Sequence, residues 1–169
     1  PIFSQLICII EDIHEYGILH RDIKPDNIML CNNIPYIIDF GLSKSFLDKN
    51  KAHNIERNDR KLVGTAKYSS INIHNSIEAS RRDDLESLCY TFIQIYGCEL
   101  PWKYIEYDKE CKAKKVKAYN DIKKLKEKSL RWLYNIPGEF ITMLLYSRNL
   151  KYLDKPNYKY IKGLFDNLQ

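Results

Sequence analysis

His20-Arg21-Asp22-Ile23-Lys24-Pro25-Asp26-Asn27, followed twelve residues after Asn27 by Asp39-Phe40-Gly41, carries most of the information in this chain. Ile28-Met29-Leu30 and Tyr36-Ile37-Ile38 lie between the two motifs as short apolar runs. Asn32-Asn33-Ile34-Pro35 separates them, a pattern that predicts a two-stranded hairpin with a turn at its tip. Such a hairpin brings Asn27 and Asp39 together at its open end. Upstream, Phe3, Leu6, Ile7, Ile10 and Ile13 recur at helical spacing, and Gly17 stands where that helix would stop. An Asp, Asn and Asp trio arises easily by chance where 29% of residues are charged, so the layout of helix, loop, hairpin and turn carries the reading.

These motifs resemble the catalytic loop and metal-binding turn of protein kinases. The spacing has a chemical reason: phosphoryl transfer needs a carboxylate near the acceptor hydroxyl and separate oxygen ligands for the Mg²⁺ ions that bridge the ATP phosphates. Asp22, Asn27 and Asp39 supply the three groups. A kinase also brackets ATP with a Gly-rich loop, a strand lysine and a helix glutamate from the lobe that comes first in sequence. None of these is found here, the six glycines never cluster as G-x-G-x-x-G, and the chain starts at Pro1 already inside an apolar helical pattern. The expected fold is therefore mainly α, a kinase-like C-terminal lobe with a small β-hairpin next to the catalytic loop. One domain, 1–169, is expected to hold the catalytic loop at 20–27, the metal turn at 39–41, an activation segment at 42–73 and a helical subdomain at 83–169. Within it the helices are placed at about 83–96, 108–128, 139–149 and 157–168, and the polar stretch 48–61 is read as the most mobile loop.

Beyond the motifs, Gly64-Thr65-Ala66-Lys67-Tyr68-Ser69-Ser70-Ile71-Asn72, Ser80-Arg81-Arg82-Asp83-Asp84-Leu85-Glu86-Ser87-Leu88 and Leu100-Pro101-Trp102 closely resemble the casein kinase 1 family. Where most kinases carry Ala-Pro-Glu after the activation segment, this chain has Ser70-Ile71-Asn72, the variant that sets that group apart. The vaccinia-related kinases resemble the pattern more distantly. The likeness runs on through Pro137-Gly138-Glu139-Phe140 and Pro156-Asn157-Tyr158-Lys159-Tyr160.

The resemblance implies that Asp22 is the general base or hydroxyl-orienting residue, that Lys24 steadies the transferring phosphate as in Ser/Thr kinases, and that Thr65 hydrogen-bonds both. It implies that Asn27 and Asp39 hold Mg²⁺ with ATP, through the oxygen ligands a hard cation prefers. His20, Arg21, Phe40 and Gly41 would lock the loop and the turn, and Asp84 would anchor the loop backbone. Three positions depart from the family pattern. Lys67 stands where the family has an arginine at an anion site, which keeps the charge and loses the bidentate fork. Cys98-Glu99 replace a Gly-Ser pair lining the same site, and a glutamate there repels phosphate. Cys89 replaces a helix glycine.

The formal charge of +5 is concentrated between Lys109 and Arg131. Read as a helix, that stretch shows a narrow apolar stripe of Ala118, Tyr119, Ile122 and Leu125 with lysines, Lys126 among them, around the remainder. The bland reading is a solvated face; the functional ones are docking of acidic or phosphorylated substrates, or a nuclear address in Lys112-Ala113-Lys114-Lys115-Val116-Lys117. No recognition motif for nucleic acid accompanies the charge, so nucleic acid is not expected as a partner. Five cysteines without a C-x-x-C pair argue for reduced thiols, hence an intracellular, cytoplasmic or nuclear setting, and against a zinc site. His14, His53 and His74 are too scattered for a metal site and are assigned surface or capping roles. No apolar run approaches the roughly 20 residues that cross a bilayer, so no membrane association is expected.

Two function classes follow. The first is a Ser/Thr kinase acting on protein hydroxyls, acidic substrates included; the second is a kinase-shaped binding or scaffold module without an ATP-binding lobe. In either case the 169-residue chain alone is expected to be inactive, because a lone lobe cannot bracket the nucleotide.

Overall fold

The computed structural model describes residues 2–106, 111–128, 136–166 and 168. It is mainly α with small β pairs, as expected from the sequence. Helix α1, Ile2–Glu15, buries Phe3, Leu6, Ile7, Ile10 and His14. The spacing 3, 7, 10, 14 is one helical stripe, so His14 belongs to the core face. Gly17 follows at φ +75°, and a Cβ there would meet Leu47 Cδ1 at 2.8 Å.

Strand β1, Ile18–Leu19, pairs antiparallel with β4, Lys44–Ser45; β2, Ile28–Cys31, pairs antiparallel with β3, Ile34–Ile37. The β2–β3 pair is the expected hairpin, with a tighter turn than the sequence suggested. Asn32 and Asn33 both take the left-handed conformation, at φ +50° and +62°. A two-residue turn of that kind matches the strand twist, so pairing resumes at once and Ile34 and Pro35 join the strand. Each strand of this pair is an edge, where a residue without an N–H is tolerated.

The central helix α3, Arg81–Ile95, buries Leu85, Leu88, Cys89, Tyr90, Phe92 and Ile93, and packs on α5, Gly138–Asn149. It starts two residues before the predicted position because the Asp83 carboxylate accepts from the Ser80 N–H at 2.8 Å. Helix α6, Tyr158–Phe165, lies on α1, its first turn capped by Asn157 Oδ1 accepting from the Tyr160 N–H at 3.0 Å. Phe3, Phe92, Phe140 and Phe165 meet with ring centroids 4.6–5.7 Å apart and join α1, α3, α5 and α6 into one core. Two of these pairs, Phe3–Phe140 and Phe92–Phe165, are edge-to-face, an arrangement that adds about 0.5–1.5 kcal/mol each beyond area burial. Cys89 is fully buried and its thiol donates to Phe140 O at 3.3 Å, so it fills the α3–α5 seam.

Two elements depart from expectation. Helix α2, Ile71–His74, is a single turn that no hydrophobic period marks; Ser70 Oγ accepting from the Ile73 N–H at 3.2 Å starts it. Helix α4, Lys112–Glu127, carries the expected stripe of Ala118 and Ile122, but Lys126 extends it and is fully buried. The predicted start of that helix at 108, with Lys109 and Arg131 of the charged stretch, lies outside the described residues. The stretch 48–61 is irregular and tied down: Asp48 Oδ1 accepts from Asn50 and Ala52, Arg60 N donates to Ser76 O, and Glu78 N to Arg57 O. No helix among the described residues is long and apolar enough to cross a membrane.

Candidate active site

The loop between β1 and β2 turns sharply at Arg21, whose φ is +67°. Lys24 is extended, and Pro25 opens a 3₁₀ turn, Pro25–Asn27, where its missing N–H costs nothing. This path buries Asp22 and aims it at Thr65. Asp22 Oδ1 accepts from the Thr65 N–H at 2.9 Å and from Thr65 Oγ1 at 2.8 Å. Its Oδ2 pairs with Lys24 Nζ at 2.9 Å and accepts from Asn27 Nδ2 at 3.3 Å. Lys24 Nζ also donates to Thr65 Oγ1 at 3.1 Å, which closes a ring of three side chains. Burial by itself raises the Asp22 pKa; the bonds from Lys24 and Thr65 outweigh it and hold the carboxyl below its ordinary value.

Gly64 makes the approach possible. Its φ is +90°, and a Cβ would stand 2.4 Å from Arg21 O. Only a residue without that carbon lets segment 62–70 cross so close to the loop.

Asp84, buried at the start of α3, holds the loop from behind: Oδ2 accepts from the His20 N–H at 2.8 Å and Oδ1 from the Arg21 N–H at 2.9 Å. Asp84 Oδ2 also lies 3.0 Å from His14 Nε2, and the Tyr158 hydroxyl oxygen is 2.6 Å from His14 Nδ1. The surface or capping role assigned to His14 is therefore corrected. Burial works against the Asp84 charge, but His14 and the two backbone donors outweigh it and lower the pKa. His20 is fully buried, with Nδ1 accepting from the Asp22 N–H at 3.3 Å and Nε2 donating to Ile38 O at 3.0 Å, an arrangement that fixes the tautomer. The Phe40 ring stands 5.0 Å from it. Arg21 Nε donates to Leu42 O at 2.7 Å, which fastens the loop to the chain just past Gly41.

Asn27 and Asp39 share the open end of the hairpin, where the Ile38 N–H donates to Asn27 O at 3.0 Å. Asp39 is exposed, in the left-handed region at φ +63°, and its Oδ1 accepts from the Gly41 N–H at 3.1 Å. Asn27 Nδ2 spends its bonds on Asp22, so the amide oxygen is the atom it can offer to a cation. One carboxylate and one amide oxygen fit Mg²⁺, which takes few protein ligands and keeps the rest for water and phosphate. No group of three or more His, Cys, Asp and Glu suited to a metal occurs among the described residues.

Lys67 is apart from this constellation. Its ammonium donates to Lys103 O at 2.7 Å, while Glu99 is engaged by Lys103 Nζ at 2.7 Å and by Tyr104 O–H. Sequence reasoning missed a second group of cations. Lys44 at 2.8 Å and Arg60 both bind the buried Glu78, beside a cavity of about 370 Å³ that Arg21 and Lys61 also line. Three separate chain segments converge there, and no local spacing marks them.

The site thus sets a buried carboxylate, clasped by lysine and threonine, beside an Asn/Asp pair on a hairpin within a helical body. The family model of the protein kinase domain matches residues 1–155, and the chain belongs to that family. Protein kinases as a class transfer phosphoryl groups to proteins using ATP and Mg²⁺.

Proposed function

We propose that this chain carries the catalytic loop of a Ser/Thr protein kinase of the casein kinase 1 kind, in a C-terminal lobe that works with an ATP-binding lobe. The observation that carries the reading is the Asp22–Lys24–Thr65 ring, with contacts of 2.8–3.1 Å. Bound Mg·ATP would supply the γ-phosphoryl group and neutralise its charge, with Asn27 and Asp39 as metal ligands. Asp22 then orients the acceptor hydroxyl and takes its proton. Thr65 fixes the carboxylate in that orientation, and Lys24, already 2.9 Å from Asp22, offsets negative charge on the transferring group. A lysine two residues after the aspartate, together with Ser70-Ile71-Asn72, supports the Ser/Thr and casein kinase 1 assignments. Glu99 and the engaged Lys67 favour acceptors without a prior phosphate.

The test is phosphotransfer to casein from Mg·ATP by the full-length natural protein that contains these residues, alongside its Asp39→Ala and Asp22→Asn variants. We expect activity in the unmodified protein, abolished by Asp39→Ala and reduced about 10²–10⁴-fold by Asp22→Asn. A well-folded full-length protein with no activity would overturn the reading in favour of a binding module that keeps the kinase shape.

A further inference from the structure

Lys126 is a lysine with no surface exposed, at the inner end of α4. Among the described residues it forms no ion pair. Its Nζ instead donates to Ala66 O at 2.9 Å and Ser69 O at 2.5 Å. It lies 4.7 Å from the Tyr90 ring centroid and 5.1 Å from that of Trp102, where the ring faces offset part of the lost hydration. A core built only for stability would place an apolar residue here, because an unpaired buried ammonium is costly and an isosteric apolar replacement is often neutral or better. The lysine does something methionine cannot: it joins two backbone carbonyls three residues apart.

Those carbonyls belong to the stretch that starts at Thr65, the residue bound to Asp22. The stretch is also tied to the body through side chains, Tyr68 O–H donating to Gln94 Oε1 at 2.5 Å, Ser70 Oγ to Asp83 Oδ1 at 2.6 Å and Lys67 Nζ to Lys103 O at 2.7 Å, but its backbone carbonyls have fewer partners. Lys67 O accepts from Trp102 Nε1 at 2.7 Å, and His74 Nε2 reaches Ala66 O at 3.1 Å. Lys126 is itself held in place, its own carbonyl accepting from Arg148 Nη2 at 3.1 Å, and Arg148 in turn binds Glu86 and Tyr90. Thr65, where the stretch begins, bonds Asp22 Oδ1 through both its N–H and its hydroxyl, so the setting of the stretch bears directly on the proposed acceptor-orienting carboxylate.

We infer that Lys126 is a positioning residue for the acceptor side of the site: by tying Ala66 O to Ser69 O it sets segment 65–70 and holds Thr65 against Asp22. The kinetic half of this inference rests on the proposed kinase function; the structural half does not. Burial drives the Lys126 pKa well below its ordinary value, and the amine donates to both carbonyls in either protonation state.

The experiment compares the full-length protein with its Lys126→Met and Lys126→Gln variants, and with Lys124→Met as an exposed control on the same helix. Amide hydrogen exchange is read at Thr65, Tyr68 and Ser69 against the core of α1 and α3. In Lys126→Met we expect exchange at those three amides to rise tenfold or more with core protection unchanged, an intermediate rise in Lys126→Gln, and none in Lys124→Met. In phosphotransfer, KM for the protein acceptor should rise several-fold while KM for ATP holds. Unchanged exchange at 65–69 in Lys126→Met overturns the inference. So does loss of protection at segment and core together in Lys126→Gln, the variant that decides if Lys126→Met fails to fold. Absence of phosphotransfer in the unmodified protein would overturn the kinase reading alone, since the exchange data judge the tie independently.

Discussion

Gly64 and Asp22 show how the candidate site depends on single atoms. The segment passes so close to the loop that one methyl group at Gly64 would fall 2.4 Å from Arg21 O, at a φ of +90°. Gly64→Ala should cost about 1–3 kcal/mol from the dihedral alone, with more from the clash. Urea unfolding should show the loss, and phosphotransfer by the full-length variant should fall with it because Thr65 moves off Asp22. An unchanged unfolding midpoint would show that loop and segment can part without cost. At this scale the sequence was informative wherever a residue acts through near neighbours in a fixed motif: Asp22, Lys24, Asn27 and Asp39 stand where the motif spacing predicted. It was silent where partners come from distant segments. Lys126 looked like one more surface lysine, and its burial follows from the Ala66 and Ser69 carbonyls that α4 meets only in the folded chain.

Among the elements, the helices that bury an apolar stripe were legible to within a few residues wherever described, because periodicity and caps are local properties. Helix α2 was not, since one turn has no period to read. Its last residue, His74, gives that short helix a pH signature. Burial, and then the Lys126 charge 3.4 Å away, push the His74 pKa down to about 3. The unfolded chain binds a proton at His74 from about pH 6.5 downward and the folded chain resists until about 3, so stability present above 6.5 is lost as pH falls through that window. Asp83 opposes it: burial raises this carboxyl to about 6, so folding gains between about 6 and its ordinary 3.8 as pH falls. The His74 window is the wider, and the net slope is a loss. Thermal midpoints should therefore drop between pH 7 and pH 5, and the drop should be shallower in His74→Gln. Equal slopes in the two proteins would remove His74 from the account.

For the whole molecule, the kinase family was legible because its motifs and the hairpin that joins them sit within a short stretch of chain. The cation group around Glu78 needed the complete fold to bring Lys44 and Arg60 together. The fold also leaves Met29, Leu30, Ile34, Tyr36, Ile38, Phe40 and Leu42 between 36% and 58% exposed along the hairpin, over both of its faces, and the turn that follows it, more apolar surface in one stretch than scattered exposure explains. Two outcomes are expected of the 169-residue chain taken alone. It should show no phosphotransfer, since it supplies no Gly-rich loop to bracket ATP. It should also bind an apolar dye, with binding reduced by the double substitution Leu30→Lys and Tyr36→Lys at unchanged secondary structure. Phosphotransfer by the isolated chain that disappears in Asp22→Asn would sink the first expectation; equal dye binding by the two forms would sink the second.

The short β1–β4 ladder fastens residues 20–43 at their base, while the Asn32–Asn33 tip projects free of it. Cys31 stands beside that tip and is the exposed one of the five free cysteines. A fluorophore attached through its sulfur would ride on the hairpin without entering the ring of Asp22, Lys24 and Thr65. The molecule thus carries its own labelling handle, an optical reporter for whatever settles over the hairpin's apolar surface.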